Sequence, residues 1–123
     1  MHKKTYLLII LLPFSFSINA SEVACMQKTE IKNIDYHDLC FTIDTTTTGQ
    51  IEKDCNANEF TSEFYSVSTE IIKSCPEGEY GSCMFTQGDM IQVNKYYKVS
   101  ISEEESISKF CKNYGGEWSQ GDQ

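Results

Sequence analysis

A helix near the carboxyl end of the chain is the clearest element in the pattern of apolar and polar residues. The apolar positions recur at intervals of three and four residues and predict one buried stripe: Ile107, Phe110, Cys111 and Tyr114. Ser102 and Glu105 have the spacing of a capping box and predict the start of the helix. Gly115 is placed to end it. Because Cys111 belongs to the stripe, we expect its disulfide to tie this helix to the rest of the domain.

Alternating segments before that helix predict antiparallel strands. The longest is 92–101, with an apolar side of Val93, Tyr97, Val99 and Ile101 and a polar side of Gln92, Asn94, Lys98 and Ser100. This alternation assigns Tyr96 to the polar, solvent side. Three shorter runs alternate in the same way and predict further strands, at 82–86, 65–71 and 39–43. We predict a turn at residues 87–89 and a polar loop or hairpin tip at residues 45–49. The predicted fold is a small disulfide-stapled α+β domain, an antiparallel sheet with one C-terminal amphipathic helix.

Residues 1–20 have the layout of a cleaved signal peptide. Lys3 and Lys4 give a positive start, an apolar run follows, and Ala20 offers a small residue at the cleavage position. The apolar run is shorter than the roughly 20 residues that span a bilayer. We therefore expect export, no membrane insertion after cleavage, and a single domain over residues 21–123. The alternative of a lipid-anchored Cys25 is disfavoured, because it would leave an odd number of thiols.

All six cysteines follow the predicted leader: Cys25, Cys40, Cys55, Cys75, Cys83 and Cys111. An even number of cysteines in a short exported chain predicts three structural disulfides, in the periplasm or outside the cell. Six cysteines allow fifteen pairings, and the sequence does not select among them. No two are spaced Cys-x-x-Cys, so the sequence indicates neither a redox centre nor a zinc knuckle.

The charge narrows the choice of partners. The chain contains 18 acidic residues, all after the leader, and cleavage would leave eight lysines, no arginine and a net charge of −10. Nucleic acid and anionic membranes are poor partners for such a surface. A cationic protein partner fits it, but simple solubility is the favoured explanation, because an excess of acidic residues often serves no other purpose.

Four features of the C-terminal half are the basis for comparing this chain with other proteins: Cys75-Pro76, Gly81-Ser82-Cys83, the pair Tyr96-Tyr97, and Cys111 followed by Gly115-Gly116-x-Trp118. In these features the chain resembles small exported cysteine-rich bacterial proteins of unknown function. The resemblance covers about half of the chain after the leader. It implies the compartment and the fold, and it implies no activity.

One segment has part of the pattern of a calcium-binding loop. Asp54, Asn56 and Asn58 match the first three ligand positions, where oxygens at alternate residues wrap the ion. Glu59 stands where glycine is needed, and Tyr65 stands where a closing glutamate is needed. Turn chemistry explains these residues as well, and we expect no metal site and no cofactor.

His37 is the only histidine after the leader, and Asp35 and Asp38 flank it. A histidine beside carboxylates is a candidate general base. No serine or cysteine is marked as its nucleophile, so a surface histidine is the favoured interpretation and no catalytic residue is predicted.

Aromatic residues supply the candidates for surface recognition, namely Tyr96 and Trp118. For Trp118 the favoured alternative is that it closes the core, because a domain this small needs its only tryptophan for burial.

These observations favour a non-enzymatic binding or inhibitory module for a protein partner. The alternatives are an accessory subunit of a cell-envelope assembly and, with least support, a hydrolase.

Overall fold

The computed structural model describes residues 23–34 and 36–121, so the predicted signal peptide lies outside the described residues. Nine elements follow one another along the chain: β1 (Ala24–Ile31), β2 (Asp38–Asp44), α1 (Gln50–Ala57), β3 (Phe60–Thr61), β4 (Tyr65–Ile72), β5 (Gly81–Gln87), β6 (Met90–Tyr97), α2 (Ile101–Asn113) and β7 (Glu117–Gln120). The strands form one antiparallel sheet in the order β3-β4-β1-β2-β6-β5-β7. The prediction of a small α+β fold with an antiparallel sheet is confirmed.

The expectation of a single helix is wrong, because α1 is a second one. It buries only Ile51 and Cys55 and is otherwise polar, so its sequence shows little helical periodicity. Residues 45–49 are a loop, as predicted, but they lead into α1 rather than forming a hairpin tip. Gly49 adopts a positive φ of 80° immediately before the helix, which a glycine does without strain.

Three disulfides join the sheet to the elements that cover it, as the cysteine count predicted. Cys25–Cys55 ties α1 to β1, Cys83–Cys111 ties α2 to β5, and Cys40–Cys75 holds the segment after β4 against β2. Each of the three buried apolar clusters contains cysteines of a different disulfide. The core is therefore divided into three parts, and each part surrounds one covalent bond.

The strand register decides which disulfides share a face of the sheet. Cys25 lies opposite Phe41, Phe41 opposite Asn94, and Asn94 opposite Cys83, so Cys25 and Cys83 belong to one transverse row. Directly opposed residues of antiparallel strands point to the same face, and neighbours along a strand point to opposite faces. Both helices thus cover one face, while Cys40 faces the other side.

Helix α2 begins earlier than predicted. The capping box is Ser100 with Glu103, two residues before the predicted pair of Ser102 and Glu105. The backbone N–H of Ser100 donates to Glu103 Oε1 over 3.1 Å. Because the helix starts at Ile101, strand β6 ends at Tyr97 and Ile101 is 88% exposed rather than facing the core.

The buried stripe of α2 is narrower than predicted. Ile107 and Cys111 are buried as expected, whereas Phe110 is 55% and Tyr114 68% exposed. The bond from Cys111 to Cys83 fixes the rotation of the helix, so Phe110 and Tyr114 lie beside the contact with the sheet, where their rings pack at 4.4 Å. Gly115 ends the helix with φ 83°, as predicted. No helix in the described ranges is long and apolar enough to cross a membrane.

Removing the bridge that holds α2 tests its role. The double variant Cys83→Ala/Cys111→Ala opens a cross-link between residues 28 apart in sequence, and we expect a loss of about 3–4 kcal/mol in the free energy of unfolding. Amide exchange should accelerate more in α2 than in α1, because α1 keeps its own bridge. Denaturant titration and hydrogen exchange measure both effects. Unchanged exchange in α2 would show that the helix does not depend on this bond.

Candidate functional site

An open cavity of about 660 Å³ lies beside α2 on the helix-covered face of the sheet. We call it the α2 groove. Its lining comes from β1, β2, β4, β6, α2 and the connection before β2: Gln27, Thr29, Ile31, Tyr36, His37, Leu39, Tyr65, Val67, Asn94, Tyr96, Glu103, Ser106, Ile107 and Phe110. Helix α1 contributes none of these residues, because its bridge holds it at the other end of β1, at Cys25. The groove is therefore the part of this sheet face that the two helices leave open.

The sequence builds the groove from two periodicities. Alternate residues of β1, namely Thr29 and Ile31, lie opposite Val67 and Tyr65 of β4 and give the groove an apolar floor on that side. On α2, residues three and four apart form the wall: Glu103, Ser106, Ile107 and Phe110. One face of a helix and one face of a sheet thus meet along the cavity.

His37 and Glu103 meet at the polar end of the groove. His37 Nδ1 lies 2.8 Å from Glu103 Oε2, and the two side chains are only 11% and 15% exposed. The interpretation of His37 as a surface histidine is therefore wrong. The 66 residues that separate the pair place them on different elements, and no local spacing in the sequence could reveal the contact.

Glu103 uses its two carboxylate oxygens for two different tasks. Oε1 accepts from the backbone N–H and the hydroxyl of Ser100 at the start of α2, and Oε2 contacts His37. Partial burial acts to raise the pKa of this carboxyl, but hydrogen bonds from His37 and Ser100 outweigh it and hold the pKa below its ordinary value. Glu103 is therefore a fixed negative charge at neutral pH.

Two tyrosines enclose the imidazole. The Tyr36 ring stacks on His37 with centroids 4.2 Å apart, and the Tyr96 ring meets it edge-on at 5.3 Å. Burial raises the pKa of both phenols; the charge of Glu103 adds to the effect at Tyr36, and a hydrogen bond with Asn94 partly opposes it at Tyr96. Both hydroxyls accordingly stay protonated at neutral pH.

The orientation of His37 leaves one ring nitrogen for a ligand. Because Nδ1 faces a carboxylate, the proton of the neutral ring is held on Nδ1 and Nε2 carries the free lone pair. No residue in the described ranges forms a hydrogen bond with Nε2. A partly buried histidine arranged in this way can accept a hydrogen bond or a proton from whatever occupies the groove.

The rim of the groove is aromatic and exposed. Tyr36, Tyr65 and Phe110 are all among the exposed large apolar side chains, and all three line the cavity. A second open depression shares Thr29, Ile31, Tyr36 and Tyr65 with the groove and extends the apolar surface to Ile34 and Phe64, which are also exposed. Exposed aromatic surface of this extent in a small acidic chain is typical of a recognition site.

Of the two aromatic residues proposed from the sequence for surface recognition, Tyr96 departs from its expected position, and Trp118 packs against the core, as its favoured alternative held. Tyr96 is only 7% exposed and faces α2, so its assignment to a polar solvent face is wrong. Strand β6 is central in the sheet and has both faces covered, with Tyr97 buried on the opposite side. Trp118 is partly buried against the cluster around Cys83 and Cys111, and its ring lies 5.9 Å from that of Tyr96.

The segment with the partial calcium pattern is helical. Asp54 and Asn56 lie within α1, and Asp54 Oδ1 accepts a hydrogen bond from Gln50 over 2.9 Å. A helix does not present oxygens of alternate residues to one point, so the loop hypothesis is wrong.

The fold and the groove define a small disulfide-stapled α+β protein with an open, aromatic-rimmed groove. No cysteine in the described ranges is free, and three disulfides suggest an oxidising, extracellular-type environment. Comparison with known proteins found no matching family model, no matching curated protein and no matching solved structure.

The lowered pKa of Glu103 predicts part of the acid sensitivity of the fold. A carboxyl whose pKa is lower in the folded state adds stability above its ordinary pKa of 4.5, and this stability is lost as the pH falls through the folded value. In the variant Glu103→Gln, we expect stability to decline less steeply below about pH 4.5. Denaturant unfolding across this range is the measurement.

Glu104→Gln is the matched control for that titration, because Glu104 lies in the same turn of α2 and outside the groove lining. It should keep the acid dependence of the unmodified protein. Equal slopes for both variants would contradict the contribution assigned to Glu103.

Proposed function

We propose that this protein is an exported, non-enzymatic binding module that engages a basic protein partner through the α2 groove. The observation that carries the proposal is the exposed aromatic rim of Tyr36, Tyr65 and Phe110 around a cavity on an otherwise covered sheet face. Aromatic side chains at the centre of an interface supply much of the binding energy in protein complexes. The groove is wide enough to receive side chains of a partner rather than only a small ion.

Charge supports a basic partner. After removal of the proposed signal peptide, residues 1–20, the chain carries eight lysines against 18 acidic residues. Glu30 and Glu63 line the depression that continues the groove, and Lys32 is the one lysine of that lining. A negative field around an apolar cavity steers cationic surfaces toward it and discourages the chain from pairing with a second copy of itself.

The compartment is part of the proposal. A cleaved leader and three disulfides fit a protein that acts in the periplasm or in the medium, where structural disulfides persist. A module of this kind would bind or inhibit a cationic protein of the same compartment. An accessory subunit of an envelope assembly is the alternative, and its contacts would resist high salt.

A hydrolase is a second candidate function, and the His37–Glu103 pair is the observation that favours it. The arrangement is that of a general base whose orientation a carboxylate holds, with Nε2 available at the cavity. His37→Ala would then abolish turnover of a chromogenic ester or amide while leaving the fold intact. Binding with no such turnover separates the two functions.

Replacing one rim aromatic tests the binding proposal. The oxidised, exported protein is immobilised and used to capture partners from envelope and secreted fractions at low salt. Phe110→Ala should lower the affinity of the main captured protein at least about tenfold, because it removes an exposed anchor from the groove. High salt should release the same protein if the contact is electrostatic.

Ile101→Ala is the matched control, since Ile101 is a more exposed apolar residue of the same helix and lies outside the groove lining. It should bind as the unmodified protein does. Capture that Phe110→Ala does not weaken would overturn the assignment of the groove, and a partner that stays bound in high salt would favour the assembly role.

A further inference from the structure

We infer that the α2 groove receives the guanidinium group of an arginine side chain from the partner, with a guanidinium N–H donating to His37 Nε2. The inference rests on the proposed binding function and specifies the chemistry of its anchor. It follows from three properties of the groove, namely its charge, its aromatic rings and the acceptor of His37 that has no partner among the described residues.

The charge of the groove is negative, and no lysine balances it from the cavity. Glu103 is the carboxylate of the lining, and the lining contains no lysine. Within the described ranges the only ionisable partner of Glu103 is His37, which leaves the carboxylate uncompensated whenever the imidazole is neutral. A cation next to Nε2 would lie on the far side of the His37 ring from Glu103. Water is partly excluded from the space between them, which strengthens the attraction between the cation and the carboxylate.

The aromatic rings favour a flat cation. Tyr36, Tyr65 and Phe110 present rings at the rim, and Tyr96 lies deeper in the cavity. A guanidinium group is planar, is weakly hydrated and stacks on aromatic faces, whereas a lysine ammonium is compact and strongly hydrated. The rim therefore suits arginine better than lysine.

The unused acceptor is His37 Nε2. Two amide oxygens of the lining already have partners in the protein: Gln27 Oε1 accepts from Asn58, and Asn94 Oδ1 accepts from Gln92. Nε2 has no partner among the described residues, and it is an acceptor only while Glu103 holds the proton on Nδ1. A guanidinium N–H would donate to this acceptor.

The variant Glu103→Gln should turn Nε2 of His37 from an acceptor into a donor while it preserves the capping box of α2. Glutamine at this position of a capping box can still accept from the N–H of Ser100. Its amide NH₂ would face His37 Nδ1 and donate to it, so the proton of the neutral ring would move to Nε2. Nε2 then becomes a donor, and two donors face each other when a guanidinium enters.

The experiment uses a pair of probes that differ in charge and not in shape, Nα-acetyl-arginine amide and Nα-acetyl-citrulline amide. His37 is the only histidine after the leader, so its ring signals in NMR spectra of the exported protein are unambiguous. We expect the arginine probe to shift these signals and to bind at least about tenfold more tightly than the citrulline probe, as expected for a charged donor. Equal affinity of the two probes, or no binding of either, would overturn the inference.

Variants at two adjacent glutamates complete the test. Glu103→Gln should lower the affinity for the arginine probe at least about tenfold and move the ring proton from Nδ1 to Nε2, which imidazole ¹⁵N shifts report directly. Glu104→Gln removes the same charge outside the lining and should change neither. If Glu103→Gln proves unstable, His37→Gln supplies the second variant, and it should weaken arginine binding while the capping box stays intact. Undiminished arginine binding in both Glu103→Gln and His37→Gln would contradict the assignment.

The two proposals fail separately. A partner that needs Phe110 while arginine and citrulline probes bind alike would leave the binding function in place and overturn only the arginine anchor. A partner indifferent to Phe110 would overturn the function itself.

Discussion

The covalent bond between Cys83 and Cys111 fixes the geometry of α2 and of the groove beside it. It sets both the position of α2 over β5 and the rotation of the helix about its axis. With Cys111 turned to the sheet, Ile107 one turn earlier is buried, and Phe110 is directed to the side. The groove exists because this rotation leaves a strip of sheet between α2 and β4 without a cover.

A single carboxylate then connects the fold to the site. Glu103 satisfies the free N–H of Ser100 at the start of α2 and orients the His37 ring from the other oxygen. The start of the helix and the direction of the imidazole are therefore set by one side chain. Any change at Glu103 alters both stability and the chemistry of the groove, which is why the isosteric glutamine variant is more informative than alanine.

The sequence allowed some of these features to be predicted for clear physical reasons. Strand alternation identified β2, β4, β5 and β6, and helical spacing identified α2, since in each of them apolar residues recur along one side of the element. Helix α1 was missed because only Ile51 and Cys55 are buried in an otherwise polar segment. The capping register was ambiguous in the same way: Ser100 and Ser102 each precede a glutamate by three residues, and only the end of β6 decides between them.

The site itself depended on long-range contacts, which local patterns do not report. Alternation predicts that Tyr96 faces solvent, but helix α2, which follows the strand, folds back over that side of it. His37 reads as isolated, because its carboxylate lies on α2, far along the chain. Residues that act together in the groove are brought together by the sheet order and the disulfides, and neither follows from spacing.

The disulfides also supply stability that the small core alone could not, and this stability allows the groove to stay open. A domain of about a hundred residues has a marginal core, and each large aromatic left outside it forgoes about 1.5–3 kcal/mol of burial. Phe110, Tyr36 and Phe64 are exposed nonetheless. Three cross-links contribute on the order of 2–4 kcal/mol each by restricting the unfolded chain. That covalent contribution is of the size needed to hold the fold together while its aromatic side chains remain available for binding.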